Sequence, residues 1–381
     1  MYVIHWSLVG VLIVLVTVEA KELKFVQAIF RHGDRAPGEL TYPNDKYDES
    51  YWPRGWDQLT NIGMAQLVDL GDFFQDRYAD DFVSKEFNVH EVYVQSSDSD
   101  RALVSAAAFL SGFFPPTKKE KFDSNLKWQP LPIHSTGPGN DPLLRPTSYK
   151  CPYYDFLLNR HKQTLIEQLN SKYKDLLSFL PTVTGESATN YSAEQIAGLD
   201  GIQREIAHDL KQPEWVERKW PQYDGNTTLE LIMESQRVLR NAEFDQFELA
   251  FLRGGFLLND WVKRVESVVN GNQTKPSHMQ IYSSHDGTLL PLLHLLDLSD
   301  NQLVPYAACI LMEIYEDDGQ FYVQLLYRHN GETTKLKLKD CDTLCPLAKF
   351  LQFAKPRAID NIYDLQMYCQ LSSERSPLNY V

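Results

Sequence analysis

The sequence predicts an α/β fold: a mixed central sheet flanked by helices, with a mostly helical inserted domain. Three observations point there. Apolar, strand-like runs at 25–30, 91–95 and 280–284 each end in a polar turn followed by helix-permissive sequence, the order expected of strands with crossover helices. Further strand-like runs at 308–316, 321–327 and 335–338 are joined by Asp317-Asp318-Gly319-Gln320 and His329-Asn330-Gly331-Glu332, whose turn dipeptides predict an antiparallel meander completing the sheet. Between these two groups, proline and glycine punctuate the chain from Pro115 to Pro152, and polar, helix-permissive sequence then runs to about Phe247. The expected division is a discontinuous core of residues 21–130 and 248–381 around a helical insertion of residues 131–247, with 1–20 as a signal peptide.

The first residues read as a targeting segment. Leu8 to Val18 is almost wholly apolar, and Val18-Glu19-Ala20 offers small residues for cleavage after Ala20. The stretch before it has His5 but no Lys or Arg, so an uncleaved anchor is the alternative. No later run is long and apolar enough to span a bilayer, and no stable membrane anchor is expected after cleavage. Sequons at Asn190, Asn226 and Asn272 fit a secreted or lysosomal route. Across 381 residues the formal charge is −14 and the pI is near 5.2, which argues against nucleic acid or an anionic membrane as main partner. A phosphate-bearing substrate is still compatible, because local basic residues can reverse the field inside a cleft.

Taken in order, the first strand ends in Arg31-His32-Gly33-Asp34-Arg35-Ala36-Pro37. Arginine presents a planar fork of donors matched to phosphate or carboxylate oxygens, so two forks around one imidazole describe an anion cradle beside a nucleophile. The glycine lets the backbone turn sharply and approach a ligand closely. The plainer reading, a basic surface turn, explains fewer of these specified positions. A Pro-, Asp- and Tyr-rich loop leads through Trp52-Pro53-Arg54-Gly55-Trp56-Asp57-Gln58-Leu59-Thr60, read mainly as packing, into a helix over 61–78. Its buried stripe is expected to be Ile62, Ala65, Leu70, Phe73 and Phe74.

The strand at 91–95 enters Ser96-Ser97-Asp98-Ser99-Asp100-Arg101 and an alanine-rich helix from Ala102 to about Leu110. With Ser96 or Ser97 as N-cap, Arg101 falls in the first turn, where a cation opposes the helix dipole unless an anion is near. Either a bound phosphate or an ion pair with Asp98 or Asp100 would supply it. Within the inserted segment, Thr164 to Leu180 is the clearest helix; another helix is expected over 248–269. The strand at 280–284 then ends in His285-Asp286-Gly287-Thr288 before a leucine-rich helix, repeating the strand–turn–helix order of the first motif and placing His285 and Asp286 where ligands sit in open α/β sheets. His294 and His329 read as structural or exposed.

The run at 31–37 resembles the signature of the histidine acid phosphatase family, the extracellular and lysosomal branch of the RHG superfamily. The Trp-Pro-x-Gly run, the Ser-x-Asp-x-x-Arg spacing at 96–101 and the His-Asp pair at 285–286 resemble that family as well, so the likeness extends over nearly all of the mature chain. Phytase-like relatives carry His-Ala-Glu where this chain has His-Asp, and Gly287 departs from the threonine common in the vertebrate enzymes. The resemblance implies a phosphoglycerate-mutase-like fold. It also implies hydrolysis of small-molecule phosphate monoesters through a phosphohistidine, with a helical roof over the site. It gives His32 as nucleophile, Asp286 as general acid and then base, and Arg31, Arg35, Arg101 and His285 as phosphate ligands. It pairs Cys151 with Cys369 and Cys341 with Cys345, leaving Cys309 without the partner it has in vertebrate relatives and thus a buried free thiol. Family members are often homodimers. No cofactor is implied, and no clustered Asp/His pattern demands a metal.

These roles fit the residue types. A general acid that must hold its proton predicts an acidic optimum, and the surrounding arginines disfavour the protonated form of His32. Broad acid phosphatase activity competes with a narrower inositol-phosphate or lysophospholipid phosphatase using the same machinery. Loss of His32, the arginines or Asp286 would favour a non-catalytic binding protein on this fold, and all of them are present.

Overall fold

The structure, a computed structural model, describes residues 21–189 and 191–371; the expected signal segment and Asn190 lie outside them. Strand β1 (Glu22–Arg31) has Phe25 and Ile29 buried on one face and Val26, Ala28 and Phe30 on the other. A strand apolar on both sides must lie inside a sheet covered on both faces. Its neighbours are β5 (Met279–Ser284), parallel, and β6 (Cys309–Asp317), antiparallel. Strand β2 (Val92–Ser96) pairs parallel with β5. Beyond β6 come β7 (Gln320–His329) and β8 (Glu332–Leu336), giving the order β2-β5-β1-β6-β7-β8, with β9 (Leu344–Pro346) also on β7. The sheet is mixed, and its antiparallel part is the meander that the turn dipeptides predict.

Helices α1 (Asn61–Tyr78) and α2 (Asp100–Phe113) cover one face, and α8 (Phe247–Val269) and α9 (Asp286–Leu295) the other. The buried face of α1 is Gly63, Leu67, Leu70, Gly71, Phe74 and Tyr78, which keeps Leu70 and Phe74 of the predicted stripe, with Phe73 half-buried beside them, but not Ile62, which is 39% exposed, or Ala65, which is also exposed. Glycines at the contact let α1 approach its neighbours closely, a signal that counting large apolar residues passes over. The N-cap of α2 is Ser99 rather than Ser96 or Ser97, both of which are buried at the end of the sheet.

The segment between α2 and α8 contributes α3 (Pro152–Lys172), α4 (Lys174–Thr184), α5 (Ala193–Gly198), α6 (Gly201–Ala207) and α7 (Thr228–Asn241), with a short ribbon of β3 (Lys219–Trp220) and β4 (Asn226–Thr227). The helix predicted over 164–180 is two helices, because Tyr173 leaves the helical conformation while burying its ring. A cluster including Leu176, Leu180, Ile196, Ile202, Trp220 and Ile232 forms a separate core here, and Tyr42 from the loop after the first motif packs into it. Cys151, just before α3, is bridged to Cys369 at the end of α11 (Ile362–Cys369), which follows α10 (Leu347–Ala354). Cys341 is bridged to Cys345, and Cys309 is a buried thiol in β6. Asn226 and Asn272 are exposed. Among the described residues no helix is long and apolar enough to cross a membrane, and no cluster of three or more His, Cys, Asp or Glu is arranged to hold a metal.

Candidate active site

The registers of β1, β5 and β2 bring three distant turns together. Arg31 lies opposite Ser284, the His32 amide donates to the Ser284 carbonyl at 2.9 Å, and the Ser97 amide donates to the Ser283 carbonyl at 3.0 Å. All three turns therefore leave the carboxyl ends of adjacent parallel strands at one edge of the sheet.

His32 is buried, and its Nδ1 lies 2.8 Å from the Gly33 carbonyl. A carbonyl oxygen can only accept, so Nδ1 carries the hydrogen and the lone pair of the neutral ring is on Nε2. Burial, with Arg31, His285 and Arg101 close by, holds His32 well below the usual histidine range and thus neutral. The His285 ring stands edge-on at 5.4 Å between centroids; its Nε2 is 2.9 Å from Ser97 Oγ, and burial together with Arg101 lowers its pKa to about 3. Gly33 packs against the start of α1. A Cβ there would stand 2.3 Å from the Gly63 carbonyl oxygen, so the residue is needed for contact between the motif and α1.

The three motif arginines converge. Arg31 lies over the Tyr306 ring, 4.0 Å from its centroid, and bonds the Val304 carbonyl. Arg35 pairs with Asp57 at 2.8 Å; Arg101 is 3.9 Å from the same carboxylate, and not with Asp98 or Asp100. Asp57 thus bridges two cradle arginines from the stretch read as packing. Burial first, then neighbouring guanidinium groups, depresses the pKa of Arg35 and Arg101, as for cations crowded without enough countercharge. Arg31 Nε and Arg101 Nε are buried without a hydrogen-bond partner.

Asp286 opens α9 and faces the same cavity as His32, a space of about 920 Å³. Burial disfavours its charge, but the Arg240 guanidinium, with Arg31 behind it, outweighs burial and holds the carboxyl well below the usual range. Arg145, Arg204, Arg240 and Tyr306 also line the cavity, and sequence reasoning did not find them. None belongs to a motif, and polar residues on helices and loops give no signal of their direction. Thr41, Met233 and Gln236 line the cavity too, so residues from the helical segment and the loop that packs into it form part of the wall.

A neutral, buried imidazole thus stands among guanidinium groups at the carboxyl edge of a mixed sheet. The chain belongs to the histidine phosphatase superfamily (branch 2), whose profile matches residues 22–328. Among curated relatives it is 36% identical to prostatic acid phosphatase of Bos taurus over 353 residues, covering 89% of this chain and 86% of that protein. It is 35% identical to lysosomal acid phosphatase of Homo sapiens over 372 residues, covering 96% of this chain and 85% of that protein. Among solved structures, Hafnia alvei phytase in its apo form superposes with a TM-score of 0.67 at 18% identity, covering 93% of this chain and 99% of that one. At that identity the likeness concerns the fold.

Proposed function

We propose that this protein is an acid phosphatase hydrolysing phosphate monoesters through a phosphohistidine on His32. The observation that carries the reading is the free Nε2 lone pair of a neutral, buried His32 set among Arg31, Arg35 and Arg101. The arginines, with a donor from His285, hold the phosphoryl oxygens and offset charge developing on them. Nε2 attacks phosphorus, the P–N bond forms as the ester P–O bond breaks, and Asp286 delivers a proton to the leaving oxygen. In the second half Asp286 takes a proton from the attacking water, the P–N bond breaks, and inorganic phosphate leaves.

The proton on Asp286 depends on substrate. An anionic phosphoryl group placed beside this carboxylate adds like charge and raises its proton affinity, so the acid is loaded as the ester binds. Two supports favour the acid phosphatase reading over an inositol-phosphate enzyme: the higher identity to the prostatic and lysosomal relatives, and the His-Asp pair. Secretion or lysosomal delivery, glycans on the exposed Asn226 and Asn272, a core and roof divided near 131 and 247, and a homodimer complete the proposal; they rest on the signal-like segment, the sequons, the separate helical core and the family resemblance. A substrate panel in mild acid, spanning aryl, alkyl, inositol and lysophospholipid phosphates with and without chelator, tests it. Release of phosphate from aryl and alkyl monoesters, insensitive to chelator, is expected; turnover confined to inositol phosphates would replace this reading with the narrower one.

A further inference from the structure

Asp286 is held by a residue that no motif contains. Arg240, in the last turn of α7, donates from Nε to Asp286 Oδ2 at 2.9 Å. Its Nη1 donates to Glu243, and its guanidinium carbon stands 5.4 Å from the Phe244 ring centroid. Glu243 is fixed in turn by Lys162 at 3.2 Å, and its backbone carbonyl accepts from the Tyr154 hydroxyl at 3.1 Å. The guanidinium is thus clamped by α7, α3 and the turn after α7, and it reaches across to the first residue of α9.

Residue 287, having no side chain, leaves room for this seat. A Cβ on Gly287 would lie 2.7 Å from Arg240 Nη2 and 2.8 Å from Thr147 Cγ2. Even a methyl group there requires one of these neighbours to move. Gly287 and the arginine against Asp286 are therefore one arrangement, brought together from distant parts of the chain.

We propose that Arg240, admitted by Gly287, is a positioning residue for the proton-transferring carboxylate of Asp286. This inference rests on the acid phosphatase reading. By occupying Oδ2, the guanidinium leaves Oδ1 to address the leaving oxygen and then water, and fixes the carboxylate plane. It also sets how readily Asp286 takes its proton. The charged and titratable groups that act on Asp286 are Arg240 from α7, Arg31 and His32 from the end of β1, Arg101 from α2 and the adjacent His285, with Glu243 beyond Arg240. Of these cations, Arg240 is the one hydrogen-bonded to the carboxylate.

The test compares Arg240→Gln, Arg240→Lys and Gly287→Thr with the wild type, using p-nitrophenyl phosphate and glycerol 2-phosphate across the acid range. Aryl phosphates leave with little help from an acid, whereas alkyl phosphates depend on it. In Arg240→Gln, kcat for the alkyl ester is expected to fall about tenfold more than for the aryl ester, and the basic limb of its profile to move up by about one pH unit. Arg240→Lys is expected to recover part of both effects. Gly287→Thr, which displaces Arg240 without removing it, is expected to reproduce both, and decides the matter alone if Arg240→Gln does not fold. Equal losses on the two esters with an unmoved profile, or no change at all, overturn the assignment. A wild-type protein inert on both esters would instead refute the acid phosphatase reading, so the two failures are distinct.

Discussion

His208 Nε2 lies 2.7 Å from Asp34 Oδ2, tying the end of α6 to the acidic residue of the first motif. The same oxygen accepts from Thr60 Oγ1 at 2.6 Å, and Trp52 packs edge-on against the His208 ring at 5.0 Å. Thr60 is also the N-cap of α1, so one buried carboxylate joins the motif, the helix behind it and the segment opposite. The Asp of Arg-His-Gly-Asp-Arg thereby ties the motif to α1 and to the end of α6, at the wall of the same cavity.

His208→Ala leaves Asp34 buried with one side-chain partner fewer. Loss of a hydrogen bond to a buried charge is expected to cost about 1.5–3 kcal/mol of stability. It should also raise KM for p-nitrophenyl phosphate by loosening Arg35, with a smaller effect on kcat. Denaturant unfolding and steady-state kinetics measure both; a stability and KM equal to wild type would show that the pair does not brace the cradle.

His32→Ala removes the attacking nitrogen and leaves the arginines in place. Turnover is expected to fall at least about a thousandfold, while circular dichroism and phosphate affinity stay close to wild type. Substantial residual hydrolysis by a folded variant would reject His32 as nucleophile.

Asp286→Asn keeps the shape of the acid without its transferable proton. With p-nitrophenyl phosphate the first half-reaction is expected to proceed and the phosphoenzyme to accumulate, visible after an alkaline quench that preserves the P–N bond. Alkyl phosphates should be turned over about a hundred- to a ten-thousandfold more slowly than by wild type. Normal alkyl turnover would remove Asp286 from the proton path.

Glu205, buried against Thr41 and Gln212, has its pKa pushed up to about 7, first by burial and also by Asp45. A carboxyl whose folded value is raised stabilises fully below its unfolded value of 4.5, and that contribution is lost as pH rises towards the folded value. Glutamine imitates the protonated form. Glu205→Gln should therefore match wild type in Tm at acid pH and exceed it increasingly up to neutral pH. His32 and His285, buried neutral, act in the opposite sense below the ordinary histidine value of 6.5, losing stability as pH falls, and do so equally in both proteins. A difference in Tm that does not vary with pH would show that Glu205 is not buried as a neutral acid.

The sequence by itself determined the alternation of strands and helices, the two strand–turn–helix motifs, and the residue types of the cradle. Strand periodicity, turn dipeptides and clustered arginines are local signals, and the chain carries them openly. What it could not express is direction and proximity across long separations. The adjacency of β1 and β5, in a register that sets Arg31 opposite Ser284, is what makes one site of two motifs. Asp57, His208 and Arg240 read as ordinary polar residues on a loop and on helices, because their partners Arg35, Asp34 and Asp286 are named only by packing. The buried glycines of α1 escaped for a related reason: a contact made possible by a missing side chain leaves no apolar mark. The protonation of the acid was likewise a tertiary decision, since the charge on a buried carboxyl follows from which cation the fold presses against it.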